Sequence, residues 1–418
     1  MRGFLVSITA LLASIAILLF GVGLMGTLVS VRLTFEDVHP QMKGLILSSY
    51  YIGLMLGSQY CGRVIGQAGH IRAFAIFAAL STAAILLQGL YVSAELWVLL
   101  RILIGFAICG IYMVVESWLN ERAEPSTRGR VFSLYQVITY GAIGLGQLLL
   151  YLGDPRSMDL FMIVGVLFAL CLIPVALSRA SNPPEPLAHT PMALMVTLRA
   201  APLAVITCVG AGVLSSSIFT LVPVAGLRLG MDLEEISLLM ASLIIGGVLL
   251  QWLIGHWSDT LGRRPVIIGV GLVTTVVAVV IMFAVGAVPL WALLPLATVF
   301  GGLAFTFYPL AVSLANDIIE DRDFVAVAAA LIFLWGLGAA AGPLLGGWIL
   351  ARTPPGGLFI YMGVISALVM LAAIPFRHQV FRIRNPFRMV TRHTSVLAGL
   401  DPRSEDREVD EGTPEWYR

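Results

Sequence analysis

Charge is scarce in this sequence. Of its 418 residues 12% are charged and 59% hydrophobic, and the charges gather at the ends of long apolar runs and in the C-terminal segment. Runs of about 20 apolar residues recurring along a chain exclude a soluble domain, which has no way to keep them all from water. The net charge of +1 has no basic patch behind it, so nucleic-acid binding finds no support. Cysteine is scarce as well. Cys61, Cys109, Cys171 and Cys208 each lie inside an apolar run, without the spacing of a metal-ligand set or a redox pair, and read as small core residues. No GxxxxGK[ST] loop occurs, which disfavours ATP-driven pumping, and no HExxH, Ser/His pair or acid dyad stands at membrane depth, which argues against an intramembrane enzyme.

What fills the chain instead is a series of apolar runs near residues 4–31, 42–62, 73–92, 96–118, 131–152 and 159–178, then 201–226, 236–257, 266–286, 289–314, 324–350 and 357–376. The first is too long for a signal-peptide core and lacks a convincing cleavage site, so it reads as a span. The expected fold is an all-α integral membrane protein of twelve transmembrane helices in two six-helix, pseudo-symmetric halves. Residues 1–178 form the first bundle and 201–376 the second. Between them lies a cytoplasmic linker at 179–200 containing Asn182-Pro-Pro-Glu-Pro186, and a tail at 377–418 turns from basic to acidic. That tail reads as a largely disordered topology anchor, with a basic part able to lie on anionic headgroups. Counting Lys and Arg by loop puts 19 on the side of both termini and five on the other, with Arg101 inside a span. The positive-inside rule then makes both termini cytoplasmic.

The two halves also resemble each other. At a constant shift of 193 residues Leu45, Ser49, Ile52, Gly53, Leu56, Gly62 and Gly69 meet Leu238, Ser242, Ile245, Gly246, Leu249, Gly255 and Gly262, while Thr27 meets Thr220. Leucine matches come easily in membrane sequence, whereas the glycines and hydroxyl residues carry the argument for duplication. Such repeats place a binding site near mid-membrane between the halves.

Between the eighth and ninth runs stands Gly255-His-Trp-Ser-Asp259-Thr-Leu-Gly262-Arg263-Arg264-Pro265. Gly255 permits close helix approach, Asp259 can cap or pair at a helix end, Gly262 allows a tight turn, and the arginines can bridge to neighbouring ends. The spacing resembles the GxxxDxxGRR signature of the major facilitator superfamily of transporters. The resemblance extends over residues 4–376, and the stretch from Val114-Val-Glu-Ser to Arg128-Gly-Arg is similar to the YcaD-like bacterial branch. It implies a cytoplasmic gate made by Asp259, Arg263 and Arg264 in the second half and by Arg72, Glu121 and Arg128 in the first, with Glu320 and Asp321 as the second-half acids. The matching first-half loop departs from the pattern, with Gly66 where the family has aspartate. In span four Arg101 to Gly105 is close to the family's RxxxG element. Span eleven carries Gly338, Gly342, Pro343 and Gly346 in a form similar to its GPxxGG element, a stripe whose physics is close packing and bending.

The cavity is expected from polar and aromatic residues on the first and fourth helices of each half, Thr27, Ser30, Tyr112, Ser215, Ser216, Thr220 and Tyr308. The fifth span adds Tyr135, Gln136, Thr139, Tyr140 and Gln147. Lone serines and threonines in such helices usually bond their own backbone. Arg101 has two readings, one holding an anionic substrate group and one snorkelling to the external interface. Glu116 likewise is either the proton-coupling carboxylate or a further member of the gate. The family resemblance implies alternating-access secondary transport of a small organic solute, proton-coupled and without a cofactor or metal, in a bacterial inner membrane. The partners are then the solute and the lipid bilayer, and the chain works as a monomer. Uptake and efflux both fit. The rival is a transport-inactive sensor that keeps the same fold.

Overall fold

The structure is a computed structural model that describes residues 2–36, 38–122, 128–177, 194–319 and 324–376, with side chains from residue 9 onward except at 40, 120–122, 128–130, 132–133 and 324–326. Among these residues the chain is helical and contains no strand. The first half holds α1 (Arg2–Phe35), α2 (Pro40–Ala68), α3 (His70–Leu90), α4 (Ala94–Arg122), α5 (Arg128–Gln147), α6 (Asp159–Leu170) and α7 (Leu172–Leu177). A short 3-10 turn, Leu148–Leu152, continues α5. After the short α8 (Leu194–Ala200) the second half holds α9 (Pro202–Arg228), α10 (Leu233–Leu261), α11 (Arg263–Ala284), α12 (Leu290–Ile318), α13 (Phe324–Leu350) and α14 (Gly357–Ala373). Met1–Gln379 form one compact unit and Val380–Arg418 another, which lies outside the described residues.

Nine segments among the described residues are long and apolar enough to cross a membrane, α6 and α7 counting together as Asp159–Leu177. Their outer surface is apolar. Trp252 is 77% and Trp291 76% exposed, and Phe283 70%, a surface suited to lipid and hostile to water. Two long helices fall outside the nine, α2 with 29 residues and α5 with 20. α5 turns Tyr135, Gln136, Thr139 and Tyr140 to the cavity described below, to which α2 gives Tyr50 and Tyr51. The third, α14, is apolar but only 17 residues long.

In lipid, helices are held by close packing more than by the hydrophobic effect, and here the packing is built on glycine. At the α2/α4 crossing a Cβ on Gly53 would overlap the Ile102 carbonyl and one on Gly105 the Tyr50 carbonyl. At α10/α12 the same reciprocal contact joins Gly246 to Thr298 and Gly301 to Leu243. At α1/α5 it joins Gly23 to Ile143 and Gly146 to Phe20, and at α9/α13 Gly212 to Trp335 and Gly338 to Val209. Gly342 extends that last seam, lying against Val213 and Ser216, and Gly346 rests on Leu221 and Tyr361. Pro343, inside α13, lacks the amide for the carbonyl one turn back.

The joints repeat too. α2 and α10 both run 29 residues and end on a glycine of positive φ, Gly69 at 79° and Gly262 at 93°. Each is followed directly by the next helix, and only glycine takes such a φ without strain. Between the halves α2 packs on α13, α5 on α10 and α1 on α9. Close contacts at two of these seams lie away from the Gly69 and Gly262 joints: Gly44 meets the Pro343 carbonyl at 3.3 Å from where a Cβ would sit, Gly144 meets Ile244 at 3.5 Å, and the Tyr51 and Trp335 rings are 6.0 Å apart.

Candidate functional site

A cavity of about 380 Å³ lies between the halves, with walls from α1, α2, α4 and α5 on one side and α9, α12 and α13 on the other. Of the residues expected to line it, Arg101, Tyr112, Tyr135, Gln136, Thr139, Tyr140, Ser215, Thr220 and Tyr308 do so, as does Glu116. Thr27, Ser30, Gln147 and Ser216 do not, Ser30 donating its hydroxyl to the Gly26 carbonyl at 3.0 Å. Thr27 is buried against α5, where its hydroxyl is hydrogen-bonded to Gln147. Ser216 turns its hydroxyl back to the Val213 carbonyl at 3.2 Å beneath Gly342. Thr220 bonds the Ser216 carbonyl at 2.6 Å while still reaching the cavity, the back-bonding usual for a hydroxyl residue in a membrane helix.

Arg101 is buried rather than snorkelling, at 2% exposure. Its guanidinium lies over the face of the Tyr50 ring, 4.7 Å from the centroid, a cation–π contact that offsets part of the desolvation. Among the described residues its Nε and Nη1 have no hydrogen-bond partner. From Tyr50 a chain of edge-to-face rings crosses the site: Tyr50 to Tyr51 at 5.3 Å, Tyr51 to Trp335 at 6.0 Å, and Trp335 to Tyr308 at 6.3 Å. A second aromatic group joins Tyr140, Phe305 and Phe219, at 6.0 and 5.5 Å. Both groups contain residues of both halves.

Glu116 lies 15 residues beyond Arg101 on α4, about 22 Å along the axis. The Tyr135 hydroxyl donates to its Oε1 at 3.1 Å. Its side chain is exposed to the cavity although helices surround it. It is the one acid among the lining residues.

The Asp259 loop forms a cluster of its own at the Gly262 joint. Arg263 pairs with Asp259, donates to Ser258 Oγ at 3.0 Å, and bridges to Asp317 near the end of α12 at 2.9 Å. Arg264 donates to the carbonyls of Ala373 and Ile374 at 2.8 and 2.7 Å, closing the end of α14. Among the described residues the α12 acid that meets Arg263 is Asp317. Glu320 and Asp321 lie outside the described residues, as do the side chains of Glu121 and Arg128. Arg72 stands exposed in the first turn of α3.

A family model described as the Major Facilitator Superfamily matches residues 11–234 and 211–395 of this chain. The chain belongs to the major facilitator superfamily. An uncharacterized MFS-type transporter of Yersinia pestis (strain Pestoides F) is 28% identical over 395 residues, covering 92% of this chain and 97% of the relative. One called YcaD, from Escherichia fergusonii, is 27% identical over 386 residues, covering 92% and 96%. Among solved structures a D-xylose-proton symporter superposes with a TM-score of 0.70 at 17% identity, over 90% of this chain and 98% of the symporter. At that identity the likeness is one of fold.

The Gly69 and Gly262 joints are built differently in the two halves. Where the second half has Asp259 and Arg263, the first has Gly66, exposed, and His70, buried. His70 Nε2 shares a hydrogen bond of 2.9 Å with Ser117 Oγ on α4, so the α2–α3 joint is tied to α4 by a histidine–serine hydrogen bond where the α10–α11 joint is tied to α12 by an ion pair. Replacing Asp317 by asparagine is expected to leave folding intact, because the pair is half exposed and such pairs contribute about 0–1 kcal/mol. A melting temperature within a few degrees of the parent, as about 1 kcal/mol implies for a chain of this size, checks this. A collapse of stability would make the pair a strut.

Proposed function

We propose that this chain carries a small organic solute across a bacterial inner membrane by alternating access, driven by a proton gradient. The observation that carries the reading is the cavity between the halves, walled by both and exposing a single carboxylate, Glu116. A solute there touches aromatic groups of each half, so the relative movement of the halves moves its access. The nine apolar segments together with α2, α5 and α14 make twelve crossings, and the repeated glycine crossings and joints favour two six-helix halves with pseudo-two-fold symmetry. The lysine and arginine distribution supports cytoplasmic termini, which puts the Asp259 cluster at the cytoplasmic end. Seam contacts on the opposite side, with Glu116 near the C-terminal end of α4, favour a cavity open to the cytoplasm. The neighbour of like fold that is named a D-xylose-proton symporter supports the proton-driven reading. The chain works as a monomer in this reading and needs no cofactor.

Arg263 in this arrangement pairs with acids of its own half, and closing the cytoplasmic side gives Asp259, Arg72, Glu121 and Arg128 new partners across the gap. Each exchange involves about 0–1 kcal/mol, which shifts a two-state equilibrium up to about fivefold. Asp259→Asn should slow turnover by up to about that factor while solute binding stays unchanged. Turnover equal to the parent's would remove Asp259 from the gate.

The test is a thermal-shift screen of the purified protein against metabolites and drugs at two pH values, followed by flux of any hit in proteoliposomes under an imposed pH gradient. Accumulation that follows the gradient supports proton-coupled transport. A hit that binds saturably and never crosses would overturn it.

A further inference from the structure

We infer that the cavity is built for a small aromatic monocarboxylate, its carboxylate on Arg101 and its ring along Tyr51, Trp335 and Tyr308. This names the solute class of the transport site proposed above and rests on that reading only for what happens after binding.

The charge comes first. Among the described buried side chains Arg101 is the one that is permanently charged. A guanidinium out of water is tolerated in a membrane protein when it faces a partner of opposite charge. Tyr50 supplies a ring face at 4.7 Å, but Nε and Nη1 have no hydrogen-bond partner among the described residues. Glu116 is about 22 Å further along the same helix and is held by Tyr135, so it does not neutralise Arg101. The missing counter-charge is therefore the solute's. A planar guanidinium matches a carboxylate through two parallel N–H donors, and a single cation suits a single negative charge.

The walls set the rest of the molecule. The ring chain beginning at Tyr50 runs through Tyr51 and Trp335 to Tyr308, starting directly over Arg101 and crossing from one half to the other. Rings that already meet edge to face offer a flat ligand the same geometry. A sugar or polyol would need several amides and carboxylates to satisfy its hydroxyls. Gln136 is the one amide on the wall and Glu116 the one acid. A small amino acid would place its ammonium near the same arginine that holds its carboxylate, with no acid beside it. At about 380 Å³ the cavity is in the lower range of small-molecule sites, which fits one or two fused rings.

The probes are 2-naphthoate, its neutral isostere 2-naphthamide and the cation 2-naphthylmethylamine, titrated calorimetrically into the purified full chain. Hydrogen bonds to a charged partner are stronger than neutral ones by enough to expect 2-naphthoate to bind about tenfold tighter than the amide or more. Arg101→Gln should erase that preference, and binding should quench tryptophan emission in the parent but not in Trp335→Phe. The comparison of acid with amide on the unsubstituted protein decides the question even where Arg101→Gln fails to fold. Equal affinity for acid and amide, tighter binding of the amine, no binding of the acid, or an acid preference that survives Arg101→Gln each overturn the inference. Naphthoate that binds under these rules without crossing a liposome membrane leaves the site standing and removes transport. Gradient-driven flux of another solute with no naphthoate binding does the reverse.

Discussion

Leucine at Gly105 is expected to abolish extraction of folded protein. A Cβ there overlaps the Tyr50 carbonyl and sits 3.1 Å from the Leu54 amide nitrogen, so the obstacle is the backbone of α2, not a side chain that can rotate away. The two helices must part along the crossing that sets their spacing, and in lipid no solvent-driven force compensates for lost contact. Tyr50, which covers Arg101, would be displaced with the backbone. Alanine brings one methyl group into that contact and is expected to cost about 1–3 kcal/mol, as overpacking does in soluble cores. Leucine extends four heavy atoms into the same place. Gly246→Leu should behave alike, since its Cβ meets the Thr298 carbonyl at the matching α10/α12 crossing. The control is Gly269→Leu in α11, whose Cβ position is open for 4 Å around. It should stay folded, and Gly269→Ala should gain up to about 1 kcal/mol of helix propensity. Size-exclusion profiles and melting temperatures in one detergent read all five variants. A monodisperse Gly105→Leu protein with an unchanged melting temperature would show that this crossing does not set the packing.

Gly53 at that crossing was legible in the sequence because it recurs at a fixed shift. Gly53 and Gly246 align without a gap, and so do Gly69 and Gly262, which turn out to be the positive-φ residues between successive helices. The polar residues of span five were legible for a related reason: Tyr135, Gln136, Thr139 and Tyr140 have no use facing lipid, and they line the cavity. Aromatic residues gave no such signal. Tyr50, Tyr51 and Trp335 are central to the site, yet an aromatic in an apolar run reads alike whether it faces lipid, core or cavity. Thr27 and Ser216 mislead in the opposite way, since each satisfies its hydroxyl within the packed helices and stays off the cavity wall. Asp317 was missed because the apolar run of span ten ends near residue 314, while the helix itself continues to Ile318. That extra turn carries the acid to Arg263.

The second large effect concerns Glu116. Its carboxylate is exposed to the cavity, about 22 Å along α4 from Arg101, and accepts the Tyr135 hydroxyl at 3.1 Å. A group that couples transport to protons has to gain and lose a proton from the same space the solute enters, and Glu116 is the one acid among the lining residues able to do so. Glu116→Gln keeps the volume and the oxygen that Tyr135 bonds, and removes only the ionisable proton. Accumulation of a transported solute against its gradient under an imposed pH difference should then fall to the passive level. Exchange of labelled for unlabelled solute, which needs the halves to move but no net proton transfer, should continue. Tyr135→Phe is the companion, since it removes the hydrogen bond and leaves the carboxyl free to titrate. It should shift the pH dependence of uptake without abolishing coupling. Loss of both accumulation and exchange in Glu116→Gln would place this residue in the gate with Asp259 and Arg263. Accumulation that persists in full would assign the proton to another group.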